Sequence, residues 1–78
     1  MTPDEQKYYD EYLEMFCTEG WRQFVNDLQG SIEDLERNAI ASLRDEQSLY
    51  RLKGRLEALT QMRNFEDSIK ASYESEQE

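Results

Sequence analysis

Residues Asp45 to Tyr73, DEQSLYRLKGRLEALTQMRNFEDSIKASY, decide how this chain folds. Apolar side chains recur at Leu49, Leu52, Leu56, Leu59, Met62, Phe65, Ile69 and Tyr73, always three or four residues apart. That is the repeat of one helical face, and it predicts a single amphipathic helix over 45–73. At 1.5 Å per residue the helix would reach roughly 43 Å, far beyond the ~11–12 residues of an average globular helix. A stripe of that length needs an apolar partner along it.

The upstream residues supply one. Thr2-Pro3-Asp4-Glu5 is a helix start: the threonine hydroxyl can accept from the first free amides, proline fits the first helical position, and Glu5 can reach back to close a capping box. Tyr9, Tyr12, Leu13, Phe16 and Cys17 form one stripe, which continues through Trp21, Phe24, Val25, Leu28, Ile32, Leu35, Ala39 and Leu43. Two glycines punctuate it. Gly20 follows Thr18, which could cap a new helix, and Gly30 precedes Ser31, which could do the same. The unbroken phase favours a continuous helix through Gly20, with this glycine where another backbone comes close. A bend or interruption is then expected near Gly30.

The chain should reverse between Ala41 and Asp45, where Ser42-Leu43-Arg44-Asp45 is cap-like and Ala39, Ile40 and Leu43 can plug a tight turn. The expected fold is therefore all-α: one domain built as an antiparallel helical hairpin of two long amphipathic helices. Its first arm spans 3–41, breakable near Gly20 or Gly30, the turn spans 41–45 and the long helix 45–73. Residues 74–78 form a disordered acidic tail, because acids disfavour a helix C-terminus. In such a hairpin the numbers of facing residues sum to about 86. Phe65 then faces Trp21, Ile69 faces Cys17, Tyr73 faces Leu13, Leu59 faces Leu28 and Leu56 faces Gly30. The expected core is Phe16, Trp21, Phe24, Leu28, Leu56, Leu59, Phe65 and Ile69, with the four rings as its main layer.

A hairpin covers each stripe on one side only. Tyr8, Tyr12, Met15, Tyr50 and Met62 are surplus to it, and with Arg51 and Arg55 they are the expected partner-binding residues, for self-association or docking on a larger protein.

The rest of the composition excludes more than it suggests. With 78 residues and no histidine, the chain lacks the commonest general base and metal ligand. The lone cysteine, Cys17, rules out an intrachain disulfide or a cysteine-based zinc site. Beside Phe16 on an apolar face, it is expected to be a buried structural thiol. Glu33-Asp34-Glu36 and Asp4-Glu5 lack the alternating oxygens and turn glycine of a calcium loop, and the isolated glycines make no phosphate loop. No enzyme activity, cofactor or metal is expected. No apolar run approaches a membrane span and the amino terminus is acidic, unlike a signal peptide. A soluble protein of the virion or host cytoplasm is expected.

Eighteen acids against nine bases give a net charge of −9, unevenly spread. Residues 1–19 set Lys7 against Asp4, Glu5, Asp10, Glu11, Glu14 and Glu19. Residues 42–63 reverse the balance, with Arg44, Arg51, Lys53, Arg55 and Arg63 against Asp45, Glu46 and Glu57. An acidic protein repels a phosphate backbone, so direct nucleic-acid binding is not expected. The basic segment is expected to pair with acids: across the hairpin Arg51 and Arg55 lie near Leu35-Glu36 and Ser31-Ile32, with Glu33 and Asp34 one residue away as their partners.

Glu19-Gly20-Trp21 with Phe24 and Leu28, together with Leu49-Tyr50, Lys53-Gly54, Leu56, Leu59 and Asn64-Phe65-Glu66, resembles small uncharacterised α-helical proteins of tailed bacteriophages, mainly short-tailed ones. The resemblance spans about residues 8–73. It implies a virion or assembly role, associated with head, portal or tail, and brings no catalytic or ligand-binding residue with it. The alternative is a small acidic phage-encoded inhibitor that presents carboxylates to a host nucleic-acid enzyme or defence complex.

Overall fold

The structure is a computed structural model. It describes residues 1–42 and 45–77, and the side chains of all of these except residues 40 and 42. The described residues form four helices, α1 (Pro3–Met15), α2 (Glu19–Ser42), α3 (Glu46–Arg63) and α4 (Phe65–Gln77), and no strand. The fold is all-α, but it is not a simple two-helix hairpin, because each expected arm is divided. α2 and α3 make the most extensive pairing and α1 lies against α4. The molecule measures 52 × 26 × 16 Å with a radius of gyration of 16.6 Å, against about 11–12 Å for a compact domain of this length.

Local chemistry accounts for each boundary. At the start of α1, the Thr2 hydroxyl accepts from the Glu5 amide at 3.2 Å, with Pro3 in the first turn. α1 ends in a tight turn in which the amides of Cys17 and Thr18 donate to the carbonyls of Glu14 and Met15. The Thr18 hydroxyl then accepts from the Trp21 amide at 3.1 Å and donates to the Met15 carbonyl at 2.7 Å. Thr18 therefore caps a new helix just before Gly20, and α2 runs unbroken through Gly30. This corrects the expected continuity at Gly20. The apolar phase survives the turn, so phase alone could not reveal it. No backbone comes close to Gly20 either: a side-chain carbon built there, or at Gly30 or Gly54, meets nothing within 4 Å.

Asp45 caps α3 through a 2.8 Å bond from the Ser48 amide. That bond holds the Asp45 carboxyl below its ordinary range. The rest of the expected turn, Leu43 and Arg44, lies outside the described residues. The expected long helix is interrupted at Asn64, with φ −91° and ψ 7°. This is the sparsely populated bridge region between helix and strand. The tail expected to be disordered is helical to Gln77. Its support comes from α1: Gln6 donates to the Tyr73 hydroxyl at 3.1 Å, and the rings of Tyr9 and Tyr73 stack at 5.3 Å. Burial and the nearby Glu76 carboxylate both raise the Tyr9 phenol above its usual pKa.

Phe16, Leu28, Ile32 and Ile69 are the buried apolar side chains among the described residues. Trp21, Leu56, Leu59 and Phe65, also expected in the core, are half-buried. Phe24 is corrected outright: it is 45 % exposed, because helices packed in pairs cover only one side of each ring. Between α2 and the start of α4 the expected register is seen where Phe65 meets Trp21, ring centroids 6.3 Å apart. Beyond the turn at 16–18 it slips by about a turn, and Tyr73 meets Gln6 and Tyr9 rather than Leu13. No helix among the described residues is long and apolar enough to cross a membrane.

Candidate interaction surface

One face of the molecule carries a continuous run of aromatic rings. Tyr8 meets Tyr12 edge-on at 5.2 Å, and Tyr12 meets Phe65 in the same way at 5.2 Å. Phe65 meets Trp21 at 6.3 Å, and Trp21 meets Phe24 at 5.8 Å. These separations are those at which tilted and edge-to-face ring pairs attract. Phe16, buried beneath, touches Tyr12, Trp21 and Phe65. The run opens into a solvent-facing groove of about 440 Å3 lined by Trp21, Phe24, Ala58, Gln61, Met62 and Phe65. Met62 is 44 % and Tyr8 51 % exposed.

A polar clamp holds Trp21, which lines the groove. The Trp21 indole donates to one Glu66 oxygen at 2.9 Å, and the other Glu66 oxygen accepts from Lys70. The Lys70 bond first and the Trp21 bond second hold the Glu66 carboxyl below its ordinary range, and the same carboxylate raises the Lys70 ammonium. A second cross-link, Arg63 to the Gln29 side-chain oxygen at 2.8 Å, ties α3 to α2.

The two ends of this face carry opposite charge. Met62, Ala58, Arg55 and Arg51 follow at helical spacing along one side of α3. Both arginines line a second depression with Leu35, Asn38, Ala39, Ser48 and Leu52, at the hairpin tip. The expected pairing of these arginines with Glu33 and Asp34 is not formed. Asp34 is instead engaged by Arg37 of its own helix at 3.6 Å, and no ion pair among the described residues includes Arg51 or Arg55. At the other end Tyr8, Glu11, Tyr12 and Met15 line a shallow hollow on α1, and Asp4 precedes Tyr8 by one turn.

Of the partner-binding residues expected from sequence, Tyr8, Tyr12, Met62, Arg51 and Arg55 thus share one face, with Met15 (36 % exposed) beside Tyr8. Tyr50, 71 % exposed, is set apart from it, about 100° round the helix from Arg51. Glu66 was missed, although the expected register puts it within one residue of facing Trp21. Cys17, expected to be buried, is exposed, its thiol 3.5 Å from the Leu13 carbonyl in the turn between α1 and α2. Among the described residues no three histidine, cysteine, aspartate or glutamate side chains stand together as a metal site.

Compared with family models, with curated proteins and with solved structures, the chain finds no match.

Proposed function

We propose that this chain is a non-enzymatic phage virion or assembly protein, associated with head, portal or tail, that acts through helix-mediated protein–protein contacts. The observation that carries the contact role is the open aromatic groove, where Phe24 and Met62 stand 45 % and 44 % exposed beside Trp21. Apolar side chains clustered at this exposure are the usual mark of a docking surface. The phage setting rests on the sequence resemblance. Mass spectrometry of purified particles and assembly intermediates is expected to recover peptides of this chain in stoichiometric amounts. Their absence from both would refute the assignment.

A second reading is supported by α1, whose Asp4, Glu5, Asp10, Glu11 and Glu14 are all exposed. Such a helix could imitate a phosphate backbone and inhibit a host nucleic-acid enzyme or defence complex. Tagged protein in host lysate would then retain such an enzyme, and lose it in high salt.

A further inference from the structure

We propose that the aromatic face closes on a second copy of this chain, as a two-fold antiparallel dimer in which the acidic end of each copy, Asp4 and Glu5, meets the basic end of the other, Arg51 and Arg55. The proposal rests on the contact role above and names its partner.

Three observations lead to it. The first is surface area. The chain exposes 6200 Å2, whereas a folded monomer of its mass exposes about 5,000 Å2. The excess, on the order of 1,000 Å2, matches what one partner gives to a standard interface, roughly 800 Å2.

The second is self-complementary charge. A two-fold interface brings the same patch of both copies together, so any residue on one side of the axis meets its counterpart from the other. With the axis at Phe65 and Met62, Asp4 and Glu5 lie on the α1 side. Arg51 and Arg55 lie on the α3 side, about 10–16 Å along the helix from Met62 at 1.5 Å per residue. Tyr12 touches Phe65, so Glu5 and Asp4, seven and eight residues before Tyr12, lie about 10–12 Å out in the other direction. The arms are comparable in length, and rotation sets acid over base at both ends. Within one copy these charges cannot meet: α1 packs on α4 and the arginines sit at the far tip of α3.

The third is unspent pairing capacity. Arg51 and Arg55 are exposed and have no ion pair among the described residues. Asp4 and Glu5 have none among the described residues either.

Analytical ultracentrifugation of the purified full chain at low and high salt tests this, with circular dichroism confirming that each variant stays helical. Wild type is expected to dimerise, and more weakly as salt screens the end contacts. The pair Arg51→Glu, Arg55→Glu sets acid against acid, and the pair Asp4→Arg, Glu5→Arg sets base against base. Each alone is expected to lower the association constant by about tenfold or more. Mixing the two variants restores opposite charge at both ends of a heterodimer, so association should return. A misfolded variant could not be rescued in this way. A monomeric wild type at hundreds of micromolar would overturn the proposal, as would a dimer indifferent to both reversals or a mixture that fails to recover. Such a result would not touch incorporation into particles, which mass spectrometry reads separately.

Discussion

The indole of Trp21 and the carboxylate of Glu66, 45 residues apart in sequence, share a 2.9 Å hydrogen bond that ties α2 to α4. Because Lys70 takes the other oxygen, both sides of the carboxylate are engaged. Trp21→Phe keeps a smaller ring in the cluster and removes the donor with part of the indole's bulk, so it should cost about 1–2 kcal/mol. Trp21→Ala also removes the ring from Phe16, Phe24 and Phe65. With the side chain half-buried, about 3 kcal/mol is expected, the lower end for an aromatic-to-alanine change. Urea unfolding followed by circular dichroism separates the two. Equal losses would mean that the ring retained in Trp21→Phe contributes nothing.

The same clamp sets a pH profile. Glu66 has a lowered folded pKa, so its stabilisation is complete above the unfolded value, about 4.3, and is lost as pH falls through the folded one. Asp45, lowered by the Ser48 amide, acts in the same sense. Lys70 has a raised folded pKa, so its contribution is complete below about 10.4 and is lost as pH rises through the folded value. The melting temperature should be flat across neutral pH and fall at both extremes. Glu66→Gln should shrink the acid-side fall, and an unchanged acid limb would count against the clamp.

Ile32 and Phe24 provide a contrast between core and surface. Ile32 is 3 % exposed, so Ile32→Ala should cost about 2–5 kcal/mol. Phe24→Ala should cost about 1 kcal/mol or less, in the range of surface changes, while weakening association. The reverse order in thermal melts would show that the groove is the core.

Cys17, in the turn between α1 and α2, is exposed. A thiol reagent added to native protein should label it promptly, at a rate close to that in denaturant. Labelling that waits for unfolding would show the turn to be covered.

Helix content was legible because the three-and-four spacing of apolar residues survives from Tyr9 to Tyr73, and Thr2 and Pro3 mark the first start. The breaks were harder to read. Thr18 carried a cap signal, but the phase on either side of it matched, and a turn of three residues leaves phase nearly intact. Asn64 is one residue long as an interruption, too short to disturb a stripe. Burial was legible for Phe16, Leu28 and Ile69, which sit where helix pairs meet. Phe24 read as core from its spacing alone, since periodicity gives the side of a helix and not whether anything covers it. The surface residues Tyr8, Tyr12, Met62, Arg51 and Arg55 were legible one at a time. Their union on one face depends on the folding of α1 against α4, which no local pattern encodes.

Trp21 is the sole tryptophan and lines the groove, so its fluorescence reports on that surface. Acrylamide quenching measured while protein concentration rises through the association range tests most directly whether the aromatic face is where copies meet. Quenching should fall as the protein associates, and should fall less in high salt. A Trp21 quenched equally at every concentration, in protein that sediments as a dimer, would contradict the account and place the interface elsewhere.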